Sequence, residues 1–261
     1  SKINFFETDC NDLEKMTKII NGADIVYHCA ATAHEGLSVF SPNVITKNIF
    51  QASVSTITAS IKNDVKRFIY CSSMARYGNQ KTPFVEDMEP KPVDPYGIAK
   101  VAGENILKVL ANLNNMEWNI AVPHNIIGPN QKYDDPFRNV LSIFINRNLQ
   151  NKPAIIYGDG KQTRDFVFVG DTVQGCITAM EHSSADAPIA NICRGETIEI
   201  KELLDILARA MDKSPDLSFA DGRSGDIRYS KGDPSYLKEL TGFIPHTDMK
   251  DGLKKLIEVP L

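Results

Sequence analysis

Three tyrosines in this sequence are each followed four residues later by a lysine: Tyr77 and Lys81 in "YGNQK", Tyr96 and Lys100 in "PYGIAK", Tyr157 and Lys161 in "YGDGK". A phenol beside an ammonium group can act as a general base. A free phenol titrates near 10, so bringing it close to 7 takes ~3 units, or roughly 4 kcal/mol. An ammonium about 5 Å away supplies roughly 3 kcal/mol of this at an effective dielectric of about 20. The two side chains face each other at this spacing only on a helix. Tyr77 and Tyr157 are each followed by glycine and read as loop residues, whereas Tyr96 runs into "GIAKVAGENILKVL", a stretch of good helix formers. Asp94 and Pro95 just ahead supply a cap and a first-turn proline. The ordinary alternative for Tyr96 and Lys100 is a pair on a helix surface, and only the surrounding elements decide between the two.

Those elements read as a parallel sheet flanked by helices. "ADIVYHCAA" (23–31) is a buried strand ending in small residues, and a helix follows over about Asn43–Ile61. "VKRFIYCSS" (65–73) is a second strand with Ser72 and Ser73 at its C-terminal end; the Tyr96 helix extends to about Leu113; "WNIAVP" (118–123) is a third strand. The alternation strand, helix, strand, helix, strand implies a doubly wound, Rossmann-like α/β sheet. Ligands of such sheets bind at the C-terminal strand ends, where Ser73, Ala30, Ala31 and Pro123–Asn125 fall. Ser73, Tyr96 and Lys100 therefore converge on one cleft.

Beyond "IIGPNQ" the pattern loosens. Helices are expected over 138–150, from a cap at Asp171 to about His182, over 200–211 and over 249–257, with strands at "AIIYG" and "RDFVFVGD". This gives a sheet domain over 1–128 and a smaller α/β lobe over 129–261, with about 160–182 returning to the sheet domain. No Gly-rich GxxGxxG turn is present, and the sequence begins almost at a strand, "KINFFETD". The sheet domain is accordingly expected to be N-terminally truncated, lacking its first βαβ unit.

The chain has 261 residues, 42% hydrophobic and 24% charged, with a net charge of -4 and no basic block, which disfavours nucleic acid as a partner. No apolar run reaches the ~18 residues needed to span a bilayer, so no membrane partner is expected. The five scattered cysteines show no CxxC and no ligand spacing to histidine, which fits reduced thiols in a cytoplasmic protein and no metal site. His28 and His124 read as structural for the same lack of partners.

In order and spacing these segments resemble the extended short-chain dehydrogenase/reductase superfamily and, within it, the NAD-dependent nucleotide-sugar epimerase/dehydratase family. "FFETDCND" looks like the segment ending beside the adenine, "DIVYHCAA" like the strand lining the dinucleotide and "CSSMARYG" like the strand carrying the catalytic serine. "PYGIAK" resembles the YxxxK helix, "VPHNIIGP" the segment running past the nicotinamide, and "YGDGKQTRDFVFVGD" and "RSGDIRYS" the stretches that bring arginines to the diphosphate. The resemblance spans essentially the whole chain. It implies Ser73, Tyr96 and Lys100 as the catalytic set, with Lys100 also on the nicotinamide ribose. It implies Asp9, Cys10, Ala30, Ala31, Asn48 and Pro123 at the cofactor. It implies Asn125, Asn139, Val140, Tyr157, Arg164, Arg223, Asp226 and Ser230 at the sugar nucleotide. It further implies a homodimer through a four-helix bundle built on 43–61 and 96–113.

Enzymes of this family that eliminate water carry acids just after the active-site serine, where this chain has Met74 and Ala75. The resemblance therefore implies C4 epimerisation of a nucleotide sugar, a UDP-hexose or UDP-N-acetylhexosamine, through a 4-keto intermediate and with NAD. NADP is not excluded, because the discriminating residues lie ahead of Ser1 in the family. An NADPH-dependent 4-keto-sugar reductase remains open, as does a non-catalytic dinucleotide-binding protein. Val122, where an arginine is common, loosens the substrate assignment.

Overall fold

The computed structural model describes residues 3–132, 139–182, 189–214, 216–222 and 227–257. The chain divides into two units. The first comprises chiefly the residues up to Arg76 and Pro92–Val122; the second comprises Tyr77–Lys91, Pro123–His182 and the chain from Ala190 on. Residues 160–182 thus fall in the second unit, together with the excursion 77–91 that follows Ser73.

The first unit is built on three parallel strands, β1 (Ile25–His28), β2 (Arg67–Cys71) and β3 (Glu117–Pro123), with β2 in the middle. The register pairs His28 with Tyr70 and Cys71 with Ala121. Helix α1 (Leu13–Ile20) starts at Asp12, whose carboxylate accepts from the Lys15 amide at 3.1 Å. The strand expected at "KINFFETD" (2–9) is not found: its described residues 3–9 form no regular element, and Ile3, Phe5 and Phe6 are exposed.

The helix expected over 43–61 runs from Pro42 to Lys62, but in three pieces: an α-turn Pro42–Thr46, a π-helical turn Lys47–Gln51, and α2 (Ala52–Lys62). Helix α3 (Pro95–Leu113) begins as the sequence implies, with Pro95 in its first turn and Asp94 accepting from the Gly97 amide at 2.8 Å. Gly97 is required here: a Cβ would stand 2.9 Å from the Ala75 carbonyl oxygen, so only glycine lets α3 approach the turn after Ser73 this closely. Between them, Ile45, Ile49, Ala75, Tyr96 and Ala99 form a buried cluster.

In the second unit, α4 (Val140–Leu149), α6 (Ile200–Ala210) and α8 (Met249–Ile257) enclose a core that includes Leu141, Phe144, Leu203, Leu207, Leu253 and Leu256. Leucines at 203, 204 and 207 give α6 its buried stripe. The "RDFVFVGD" run is not one strand. It breaks at Asp165 into β6 (Thr163–Arg164) and β7 (Val167–Phe168), following β4 (Ile126–Ile127) and β5 (Ala154–Tyr157). β6 pairs antiparallel with β9 (Ile198–Glu199), which follows β8 (Ile189–Ile192), and β7 pairs parallel with β4. A further strand, β10 (Leu217–Ala220), lies parallel to β5 and was not expected from the sequence. Asp171 does not cap a helix. Helix α5 (Val169–His182) starts two residues earlier, and the Asp171 carboxylate accepts from the His246 and Thr247 amides at 3.1 and 2.8 Å. The element α7 (Ser235–Thr241) ends at Gly242 in the left-handed region, φ 72°.

Candidate functional site

Of the three tyrosine–lysine pairs, only Tyr96 and Lys100 lie on a helix, both buried in the first turns of α3. Tyr77 ends a 3-10 turn, Met74–Tyr77, and is fully buried, its hydroxyl donating to Asn191 at 2.8 Å and its ring stacked 4.9 Å from Phe84. Tyr157 ends β5, and Lys161 is exposed beyond it.

Ser73 sits just past the C-terminal end of β2. Its hydroxyl accepts from the Ala75 amide at 3.2 Å and hydrogen-bonds the Tyr96 phenol. Lys100 Nζ donates to the Cys71 carbonyl at 2.6 Å and lies 5.3 Å above the Tyr70 ring. The three side chains and the end of β2 therefore form one connected group. Their electrostatics differ from the expectation in one respect. Burial pushes the Tyr96 phenol above its ordinary value, the Ser73 hydrogen bond opposes this, and Lys100 is not among the groups that lower it. Burial also holds Lys100 below the usual lysine value, with the Cys71 thiol pulling the other way. The Cys71 thiol is drawn down to about 6, first by a hydrogen bond with Cys29 and further by Lys100, against the effect of burial.

At the expected cofactor positions, Ala30 is exposed and Ala31 half-buried beyond β1, leaving the strand end open to close approach. Asn48 lies in the π-helical turn and donates to Thr32 Oγ1 at 3.0 Å, tying that turn to the loop after β1. Asp9 is exposed, and its carboxylate is held below the usual value by hydrogen bonds from Asn11. Beside it, Thr8 Oγ1 and Asn11 Oδ1 are buried without a hydrogen-bond partner among the described residues, acceptors left open where the adenine is expected. Burial raises the Cys10 thiol. Pro123 ends β3 and is buried.

In the second unit Val140, Tyr157 and Arg164 line one cavity of about 130 Å³ with Phe144, Ile155, Ile156, Gln162 and Ile200. Gln162 was not anticipated. Its Nε2 donates to the Tyr157 carbonyl at 2.9 Å, while Oε1 is buried without a partner among the described residues. Arg164 Nη1 donates to the Thr163 and Ile227 carbonyls at 2.9 and 2.7 Å, which fixes the guanidinium. Asn139 caps α4, accepting from the Ser142 amide at 3.2 Å. Asn125 donates to the Asp165 carbonyl at 2.9 Å. Ser230 is fully buried, whereas Tyr229 is 57% exposed. Arg223 and Asp226 lie outside the described residues.

Four further residues escaped the sequence reading. Glu104 and Arg76 form a buried ion pair behind Ser73, and Glu104 could have been found, since it lies four residues after Lys100 on the same face of α3. Glu35 raises the Tyr96 phenol through its charge, although it lies 61 positions away in sequence, a juxtaposition no local pattern announces. Asp165 accepts from the Arg194, Gly195 and Gly232 amides at 3.2, 3.0 and 3.2 Å, and burial lifts it to about 6.

A serine at the end of a central parallel strand, bonded to a buried tyrosine with a lysine one helical turn on, defines a dinucleotide-dependent enzyme of the extended short-chain dehydrogenase/reductase type. The chain belongs to the NAD dependent epimerase/dehydratase family, whose model matches residues 1–193. It is 30% identical over 239 residues to a UDP-glucose 4-epimerase of Mycolicibacterium smegmatis, covering 90% of this chain and 75% of that one. Among solved structures it is similar to a UDP-glucose 4-epimerase from Thermotoga maritima with UDP-glucose, at 31% identity and TM-score 0.91 over 97% of this chain and 83% of that one. It is also similar to a UDP-N-acetylglucosamine 4-epimerase from Methanobrevibacter ruminantium in complex with UDP-N-acetylmuramic acid, at 29% identity and TM-score 0.90 over 97% of this chain and 81% of that one. The cofactor of the family is NAD, which the open strand end at Ala30 and the unfilled acceptors of Thr8 and Asn11 fit.

Proposed function

We propose that this NAD-dependent nucleotide-sugar epimerase inverts C4 of a UDP-hexose or UDP-N-acetylhexosamine. The observation that carries the reading is the Ser73–Tyr96 hydrogen bond, with Lys100 buried one turn further along α3. Tyr96 takes the proton of the C4 hydroxyl as the sugar becomes a 4-keto sugar, and returns it when the other face is reduced. Ser73 orients the reacting oxygen. Lys100, anchored on the Cys71 carbonyl, holds a positive charge close to the phenol and to the cofactor ribose. Asp9, Cys10, Ala30, Ala31, Asn48 and Pro123 hold the NAD, which supplies the hydride acceptor and donor.

The nucleotide belongs to the second unit. Tyr157 stacks on the base, and Gln162 Oε1 offers an acceptor to it. Arg164, with Arg223, binds the diphosphate, because a guanidinium fork matches phosphate oxygens. Asn125, Asn139, Val140 and Asp226 line the sugar. Ser230 leaves room for an N-acetyl group, so the acetylated sugar is used at least as well as the plain hexose. The similarity to epimerases favours this reading over a 4-keto reductase or a non-catalytic binder.

The protein works in the cytoplasm, supplying sugars for polysaccharide synthesis, as a homodimer. For the dimer, the exposed apolar side of α3 offers Ile98 and Val109, 55% and 57% exposed, while Ile45, Ile49 and Ile57 of the preceding helix are buried in the chain's own core. Among the described residues no helix is long and apolar enough to cross a membrane. The deciding experiment incubates the protein with NAD and a panel of UDP- and dTDP-sugars and follows C4 configuration by proton NMR. Inversion of a UDP-sugar is expected; elimination of water, or no change across the panel, overturns the proposal.

A further inference from the structure

Two cysteines stand side by side at the ends of β1 and β2. His28 and Tyr70 are register partners in this parallel pair, and the next residue in the chain after each is a cysteine: Cys29 immediately past the end of β1, and Cys71 as the last residue of β2. Neighbouring parallel strands lie about 4.7–4.9 Å apart, and residues in register project to the same face. That spacing falls inside the Cα separation of about 4.4–6.8 Å that a disulfide takes. The two thiols are already in hydrogen-bond contact. Cys29 is exposed and Cys71 half-buried, so the pair is reached from solvent on the Cys29 side. Lys100 binds the Cys71 backbone, and a cation near a thiol favours the reactive thiolate. The proton transfer described above uses neither thiol.

We propose that Cys29 and Cys71 are an oxidative modification site: a dithiol that peroxide closes to a disulfide and a thiol reductant reopens, switching the enzyme off and on. The Cys71 thiolate attacks one peroxide oxygen, the O–O bond breaks, and hydroxide leaves and is protonated to water. Cys71 is then a sulfenic acid. The Cys29 sulfur attacks the Cys71 sulfur, the S–S bond forms, and a second water leaves. Two thiols are oxidised and one peroxide is reduced to two waters. A dithiol reductant reverses the step by exchange through a mixed disulfide. The cross-link acts on catalysis through position. It clamps the end of β2 two residues before Ser73, at the carbonyl that anchors Lys100.

The test treats the NAD-loaded protein with hydrogen peroxide, alkylates remaining thiols, and maps the peptides by mass spectrometry under non-reducing conditions. A Cys29–Cys71 cross-linked peptide is expected, together with a fall in turnover of at least tenfold that dithiothreitol restores. Cys29→Ser keeps its basal turnover and forms no such peptide; after peroxide its Cys71 is trapped by dimedone as the sulfenic acid. Wild-type protein in which both thiols still alkylate after peroxide overturns the proposal, and so does a Cys29–Cys71 cross-link that leaves turnover unchanged. The peptide map is independent of the substrate reading; only the turnover readout rests on it.

Discussion

Arg76 and Glu104 form a two-pronged ion pair sealed from water, with Nε and Nη2 each 3.2 Å from a carboxylate oxygen and side-chain exposures of 2% and 0%. Ser72 also donates to Glu104, so one carboxylate on α3 holds both the residue before Ser73 and the arginine three residues after it. Removing one partner of a buried pair strands the other charge and commonly costs about 3–5 kcal/mol. Glu104→Ala is therefore expected to lower the unfolding free energy by that amount. Replacing Arg76 and Glu104 together by methionine and leucine costs much less, because no fully buried charge is then left unpaired; Lys108, 4.0 Å from Glu104, reaches solvent. Chemical denaturation of the wild type and these two variants checks this; equal losses in the single and double variants would contradict it.

Tyr96→Phe removes the proposed proton acceptor but keeps the ring in its buried slot. Turnover should fall at least a thousandfold, with sugar-nucleotide affinity within several-fold of wild type by calorimetry. Tyr77→Phe is the control. It loses a buried hydrogen bond to Asn191, about 1 kcal/mol of stability, and keeps its turnover.

Acid should loosen the fold through its buried imidazoles. Burial, aided by the Lys100 charge, holds His28 at about 4 against an ordinary 6.5, and burial holds His124 at about 4 as well. A group with a depressed folded-state value binds its proton more readily when unfolded. Its stabilisation is full above about 6.5 and lost as pH falls toward 4, by up to about 3 kcal/mol for His28. Asp165, raised to about 6, runs the other way: its contribution is lost as pH rises from about 4 to 6. Denaturation midpoints of wild type and His28→Gln at pH 7 and pH 4.5 test this. The variant should show the smaller difference.

In the proposed site, sugar size is expected to turn on position 230. Ser230 is fully buried, so Ser230→Tyr overpacks its surroundings, at a cost of about 1–3 kcal/mol. In the proposed site the phenol also takes the acetamido space. Use of a UDP-N-acetylhexosamine should drop at least tenfold more than use of UDP-glucose, read as the ratio of kcat/KM. An undiminished acetylated substrate would remove Ser230 from the sugar pocket.

The dimer should depend on the apolar face of α3. Ile98→Asp with Val109→Asp is expected to give monomers in sedimentation velocity at micromolar concentration, where the wild type is expected to sediment as a dimer.

Local chemistry made much of this protein legible in its residues. The Asp94–Pro95 start of α3, the leucine stripe of α6 and the strand "RFIYC" announce themselves, because caps, helical periodicity and β-branched or aromatic runs act over a few residues. The helical setting of Tyr96 and Lys100, against the other two pairs, followed from the same local signals. What needed the tertiary structure was every relation between distant segments. That the eight-residue run "RDFVFVGD" breaks at Asp165 depends on three amides from 194, 195 and 232 turning toward one carboxylate. That Ile45, Ile49 and Ile57 are core and Ile98 is surface depends on which face of each helix the neighbouring elements cover, which a hydrophobic residue does not disclose by itself. The meeting of Cys29 with Cys71, and of Glu104 with Arg76, is set by strand register and helix packing across 42 and 28 positions of sequence, distances over which local propensity is silent.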